Sequence, residues 1–199
     1  MRKEIICQDG YIIYQIDEKD ILCGVEFVVK TNYKKHKSSI EYQGIESDVI
    51  EIYESEKKNF DRSCFYMATT IAGQIIGTLR IMIGDKYDLA LPDDVNLNTI
   101  NKVCHIGRFA IDQVGDNKLG NKLFKKMILL AFSHVCKNKN NVLVAECDMK
   151  LYRVLVKMGI GIIPIGAPFF CLGSETIFVY APYENIIEYY LKYNLLQQL

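Results

Sequence analysis

A mixed α/β (α+β) sheet protein is what this sequence predicts, and three features carry the prediction. Residues 65–71 and 74–83 are β-rich runs on either side of Ala72-Gly73, which is a hairpin pattern. Residues 103–111 form another such run. A helix follows, with Leu119, Leu123, Met127 and Leu130 on one stripe, flanked by Phe124, Ile128 and Ala131 and ending near Cys136. Beyond it, strands and helices alternate: a strand over 141–147, a short helix closed by Gly159, and strands over 160–165 and 175–180. A last helix over 184–198 carries Ile187, Tyr190, Leu191 and Leu195.

The first half is read in chain order. Residues 11–16 are rich in isoleucine and tyrosine and predict a strand. Asp17 and Glu18 then start a helix with Ile21, Leu22, Val25, Val28 and Val29 on its buried face. Residues 33–58 are polar and tyrosine-bearing without a clean period, and read as a long loop of the kind that often carries function. Residues 84–99, with Asp93-Asp94, are a second polar excursion. No internal repeat or low-complexity segment occurs, and residues 1–199 are read as a single domain.

Composition narrows the function. Half the residues are apolar or aromatic, and 24 Lys and Arg balance 24 Asp and Glu. That balance argues against disorder and against a nucleic-acid partner. The basic runs (Lys34-Lys35-His36-Lys37, and 122–126) are short enough to be solvated faces or one anion site. The seven cysteines show no CxxC spacing and only three histidines accompany them, so neither a metal site nor a disulfide framework is indicated. The start of the chain lacks signal-peptide character. The longest apolar run, 159–173, falls short of the roughly 20 residues a spanning helix needs. A soluble, cytoplasmic protein with reduced thiols and no transmembrane segment is expected.

The stretch from Cys104 to Met127 bears the first chemical signal. A buried strand enters a polar turn, Gly115-Asp116-Asn117-Lys118, and then the helix opening Leu119-Gly120. Free N–H groups at a helix start, aided by its dipole, suit a phosphate. Gly115 and Gly120 permit close backbone approach, and Lys118 and Lys122 add positive charge. The same residues also read as an ordinary helix start, with Asp116 or Asn117 as the N-cap.

The strand-turn-helix resembles the acyl-CoA-binding core of the GCN5-related N-acyltransferase (GNAT) superfamily. The likeness lies in the strand Arg108-Phe109-Ala110-Ile111-Asp112 and the following loop, where only Gly120 of the usual glycines is in place. Four further segments, in order over roughly 56–182, resemble the autoinducer (acyl-homoserine lactone) synthase and long-chain N-acyl amino acid synthase branch. They are Glu56-Lys57-Lys58-Asn59-Phe60-Asp61, Gly77-Thr78-Leu79-Arg80-Ile81, His105-Ile106-Gly107-Arg108-Phe109, and Ile165-Gly166-Ala167-Pro168 followed by Gly173 and Tyr180-Ala181-Pro182. The chain departs from the branch at Lys58, where an acid is usual, and at His105 and Gly107, in place of glutamate and serine. The superfamily's frequent general-acid tyrosine is replaced by Leu155, with Tyr152 one turn earlier.

The resemblance implies a GNAT-like, mostly antiparallel central sheet flanked by helices. It also implies an N-acyltransferase that uses acyl-CoA or acyl-ACP as co-substrate, needs no metal, and acylates a small amine, an amino acid for preference. In that frame His105, Arg108 and Phe109 are the catalytic candidates. Glu56, Asp61 and Arg80 bind the acceptor. Ala110, Ile111, Gly115, Asp116, Asn117, Lys118, Leu119 and Gly120 hold the acyl donor. An acyl carrier protein is an implied partner, and a lipid product would bring peripheral membrane contact. Amide formation fits the altered motifs better than lactone formation from S-adenosylmethionine.

Alternatives stay open at this level. His105 can be a satisfied histidine at a strand start, and the arginines can form a structural salt-bridge cluster with Glu56 and Asp61. Phe65, Met67, Met82, Phe109, Met127, Phe132, Met158, Phe169 and Phe170 can line an acyl pocket or fill the core. An acetyl-CoA-dependent N-acetyltransferase and a non-catalytic thioester-binding domain are the rival functions. The sequence also presents Arg80→Ala as an inactivating change that spares the fold.

Overall fold

The computed structural model describes residues 2–8, 10–35, 44–85, 100–112 and 117–195. The strands are β1 (Lys3–Gln8), β2 (Tyr11–Ile16), β3 (Ser63–Thr70), β4 (Ile75–Gly84), β5 (Lys102–Ile111), β6 (Asn141–Asp148), β7 (Ile163–Cys171) and β8 (Ser174–Pro182). The helices are α1 (Ile21–Lys35), α2 (Ile45–Lys58), α3 (Asn117–Val135), α4 (Met149–Lys157) and α5 (Tyr183–Leu195). The strand order is β1-β2-β3-β4-β5-β6-β8-β7. The β1/β2, β2/β3, β6/β8 and β7/β8 ladders are antiparallel, and the β5/β6 ladder is parallel. The expected mixed, mostly antiparallel sheet is therefore the one the chain forms.

By its contacts the chain divides into two compact units, Met1–Arg80 with Arg108–Lys126, and Ile81–Gly107 with Met127–Leu199. In the first, α1 and α2 pack onto β2 and β3. Ile16, Ile21, Val25, Val29, Val49, Phe65 and Met67 are buried together, with Tyr14, Tyr33, Ile45, Ile52, Tyr53 and Phe60 around them. The predicted α1 stripe is correct except for Leu22, which is 40% exposed; Gly24 occupies the buried position instead. A Cβ at 24 would meet Ile16 and Thr78 at 3.9 Å, an ordinary van der Waals contact.

Two elements correct the sequence reading. Residues 33–58 are not one loop, because α1 runs to Lys35 and α2 spans Ile45–Lys58. Residues 36–43 lie outside the described residues, as do 86–99, which hold most of the second polar excursion. The other surprise is β1, which has no alternation to reveal it. It is mostly exposed and exists through its antiparallel register with β2, Lys3 opposite Gln15 and Gln8 opposite Tyr11. The β3–β4 hairpin is present, with Gly73 at φ +86°, a conformation that favours glycine.

In the second unit, Ile100, Val103, Val142, Val144 and Ile165 are buried together beside Phe178 and Tyr180. Asp148 caps α4, its carboxylate accepting from the N–H groups of Lys150 (2.7 Å) and Leu151 (3.2 Å). Gly159, at φ +78°, closes the same helix as expected. The edge strand β7 is irregular. Its register with β8 shifts between Ile165 and Phe169, around Gly166 at φ +67°. Two prolines, Pro164 and Pro168, stand in it, and Phe170 is 75% exposed. Phe65, Met67, Met82, Met127 and Phe132 are buried with the core, whereas Phe170 faces solvent.

Candidate active site

Helix α2 delivers the first functional side chain. Ile45, Val49, Ile52 and Tyr53 form its packed stripe, at positions i, i+4, i+7 and i+8. The next position on that stripe is Glu56, which the helix must therefore bury; it is 3% exposed. A carboxylate in that position needs partners, since an unpaired buried charge costs several kcal/mol.

Two arginines meet it. Arg80 of β4, 4% exposed, brings Nε to 3.3 Å from one oxygen of Glu56. Arg108 of β5 donates its Nε to the other oxygen at 2.6 Å. Two guanidinium groups thus face the one buried carboxylate of Glu56. The two arginines differ in access: Arg80 is enclosed, while the Arg108 side chain is 21% exposed. Among the described residues, the terminal nitrogens of Arg108 have no partner. An outward guanidinium fork of this kind is built for a carboxylate or phosphate.

The backbone at Arg108 is unusual as well. Its φ is +51°, in the left-handed region that non-glycine residues seldom occupy. The Thr78 hydroxyl donates to the Arg108 carbonyl at 2.9 Å, from a side chain that is almost wholly buried. The register of β5 with β6 runs from Lys102 opposite Asn141 to Ile106 opposite Ala145, two residues before Arg108. Strand β6 continues to Asp148, in register with β8.

The remainder of β5 is tied down by α1. Lys35 Nζ donates to the Ile111 carbonyl at 2.6 Å, and Lys34 forms an ion pair with Asp112 at 3.1 Å. The Asp112 N–H donates to the Ile76 carbonyl at 3.0 Å. Phe109 meets Phe124 of α3 edge to face, with centroids 5.5 Å apart. Ala110 and Ile111 are buried.

Of the sequence-predicted residues, Glu56, Arg80 and Arg108 come together. Asp61 does not join them: it is exposed in the short 3₁₀ turn after α2 and makes no ion pair among the described residues. The expected pairing of the arginines with both acids is thus corrected to Glu56 alone, because α2 turns its buried stripe inward at 56 and ends before 61. His105 is half-buried on β5, opposite Val144. Gly115 and Asp116 lie outside the described residues, and Asn117 is the first residue of α3. Lys118 is exposed, and Leu119 and Gly120 are half-buried in the first turn. A side chain at 120 would meet nothing within 4 Å, which leaves room for a ligand at that helix start.

The burial of Arg80 against Glu56 makes Arg80→Ala a change of the fold's stability as well as of the site. Removing a buried partner of Glu56 would destabilise the fold. Thr78, Lys34 and Lys35 were missed by the sequence reading. Thr78 stands at a variable position inside the Gly77–Ile81 segment, and the two lysines read as a solvated basic run. Among the described residues no group of three His, Cys, Asp or Glu side chains is arranged to hold a metal ion. None of the described helices is long and apolar enough to cross a membrane.

The strand order, with β5 and β6 parallel in a mostly antiparallel sheet flanked by helices, is the GNAT fold. Solved structures that share it include apo FdhC, a nucleotide-linked sugar GNAT, at 17% identity over 96% of this chain and 95% of FdhC, with a TM-score of 0.54. The chain is also similar to TofI, solved in a ternary complex with an inhibitor and MTA, at 12% identity over 88% of this chain and 92% of TofI, TM-score 0.55. A predicted acetyltransferase from Clostridium acetobutylicum, solved with acetyl-CoA, shares 15% identity over 75% of this chain and 88% of its own, TM-score 0.53. At these identities the likeness is one of fold. No family model matches the sequence, and no curated protein matches it.

Proposed function

We propose that this protein is an N-acyltransferase that moves an acyl group from a CoA or carrier-protein thioester to the amine of a small, carboxylate-bearing acceptor, an amino acid for preference. The carrying observation is Arg108, held at Nε by the buried Glu56 that also faces Arg80, with its terminal nitrogens open among the described residues. An acceptor carboxylate fits that open guanidinium fork, and a simple amine would not.

The acceptor nitrogen attacks the thioester carbonyl, the C–S bond breaks, and the amine proton ends on the departing thiolate. Backbone N–H groups at Phe109–Ile111 are the oxyanion donors in this reading, a contribution of about 3–4 kcal/mol. Placement of the two substrates supplies roughly 7–11 kcal/mol. His105 is the base, worth about 10²–10⁴-fold. An α-amino group of pKa near 8 is already about one-tenth neutral at pH 7, so the base assists more than it decides. Phe109 positions the strand against α3. Ala110, Ile111 and the segment Gly115–Gly120 take the donor, with the space at Gly120 and the lysines at 118 and 122 facing its phosphates. Glu56 and Arg80 hold Arg108, and Asp61 is the outer acceptor contact. The reading makes the 199 residues one cytoplasmic catalytic domain that uses acyl-CoA or acyl-ACP, with membrane contact where a long-chain product leaves.

A second reading, acetyl transfer from acetyl-CoA, is favoured by the Clostridium acetobutylicum structure, which holds that thioester. One experiment separates the two. The protein is expressed in a bacterial host, lipid extracts are profiled by mass spectrometry, and thiol release from acetyl-CoA is followed over an amine panel, with Arg108→Lys as control. New N-acyl amino acids that vanish in the control support the first reading. Acetyl-CoA turnover without new lipid supports the second, and silence in both assays overturns both.

A further inference from the structure

We infer that Thr78 is a positioning residue of this site, a latch that keeps Arg108 in the one backbone conformation from which its guanidinium serves both Glu56 and the acceptor. The inference rests on the acyl-transfer reading for its kinetic consequence, but not for its structural one.

Arg108 stands at φ +51° inside a strand whose other non-glycine residues are in the negative-φ region. For a side-chain-bearing residue that conformation costs of order 1–3 kcal/mol and persists only where the surroundings over-determine it. Two contacts of the described residues do so. At the side-chain end, Glu56 accepts from Nε at 2.6 Å. At the backbone end, Thr78 Oγ1 donates to the carbonyl at 2.9 Å.

The first contact belongs to the site's electrostatics. The second asks why a hydroxyl is present in β4 at all. Residues 76 to 82 of that strand are buried, and their apolar members are Ile76, Leu79, Ile81 and Met82. Thr78 is 3% exposed among them. Valine has nearly the same shape and would fill the same space. What valine lacks is the donor. The carbonyl it would leave behind belongs to the one strained residue of β5, so the hydroxyl serves Arg108 and not the core. Once the latch is gone, the peptide can rotate toward ordinary extended geometry, and the side chain swings away from Glu56.

The test compares Thr78→Val with Thr78→Ser, which keeps the hydroxyl and loses only a methyl. The structural arm follows the Arg108 Nε–H resonance in a ¹⁵N spectrum of the whole protein, assigned by its disappearance in Arg108→Lys. It is expected to be sharp and slow to exchange in the wild type and in Thr78→Ser, and lost or exchange-broadened in Thr78→Val, with the Arg80 resonance as an internal reference. The kinetic arm expects Thr78→Val to raise the acceptor KM about 10-fold or more, with the donor KM changed less than 2-fold and Thr78→Ser near wild type. An unchanged Arg108 resonance in Thr78→Val would overturn the latch, as would equal behaviour of the Val and Ser variants. A lost resonance in a protein without acyl-transfer activity sustains the latch and removes the proposed reaction, so the two failures are distinguishable.

Discussion

Strand β5 holds its two halves by opposite means. From Lys102 to Ile106 it is laddered to β6 and buried by bulk: Val103 and Cys104 have no exposed surface, and Val103 lies among Ile100, Val142, Val144 and Ile165. From Gly107 to Ile111 the anchors are single polar contacts, Thr78 and Glu56 to Arg108 and Lys35 to Ile111. Apolar packing is tolerant, since several residues of similar size can fill one space. A polar anchor is not, because removing one atom leaves a buried partner unsatisfied. The half of β5 that carries the proposed chemistry is therefore the half that tolerates substitution least.

Changing Glu56 should break the contrast most. Glu56→Gln keeps the shape but removes the buried charge that faces Arg80 and holds Arg108. We expect about 3–5 kcal/mol of lost stability in urea or thermal unfolding, together with loss of acyl transfer. A loss below 1 kcal/mol would mean that water already solvates the cluster. Val103→Ala in the packed half should cost about 2 kcal/mol, from two lost methyl groups and the space they leave. Because it touches only packing, its acceptor KM should match wild type, and a raised KM would erase the distinction between the halves.

A pH titration sharpens the comparison further. Burial, reinforced by nearby Lys137, lowers the pKa of His134 at the end of α3 to about 4. The unfolded chain takes up a proton near pH 6.5 that the folded chain refuses until about pH 4. Stability is therefore highest above pH 6.5 and falls as pH drops through that window, with a slope of up to about 1.4 kcal/mol per pH unit. His134→Asn should flatten that part of the curve, and an unchanged slope would assign the acid sensitivity to other groups. The smallest effect belongs to Asp61→Asn, at an exposed position outside the ion cluster. Its stability should stay within about 0.5 kcal/mol of wild type. Any loss of turnover there is then a direct contact with the acceptor, read as a raised KM.

Legibility in the sequence followed the same division. Packing by bulk leaves apolar runs and stripes, so β3, β4 and β5 were visible as β-rich runs and α3 from the stripe of Leu119, Leu123 and Met127. Helix α2 was not, although its stripe of Ile45, Val49, Ile52 and Tyr53 is regular, because the fifth position is Glu56 and reads as solvent-facing. The residue that hid the helix is the one the site is built on. β1 was invisible for another reason: an exposed edge strand is specified by its partner β2 and needs no pattern of its own. Within the site, order along the chain brought Glu56, Arg80 and Arg108 to notice. It could not show that Asp61 stands apart, because nothing local marks where a helix ends relative to its buried face. Nor could it show Thr78, whose importance is a single hydrogen bond across to another strand.

The broken edge of β7 bears on how this protein behaves at high concentration. A neighbouring chain laid along that strand would find no N–H at Pro164 or Pro168, and a kink at Gly166 between them. Ile163 and Phe170, 44% and 75% exposed, would otherwise make the same edge an inviting template for sheet-to-sheet growth. The prolines act as gatekeepers for an apolar strand, and restoring both donors with threonine would turn a quiet border into a seed for aggregates.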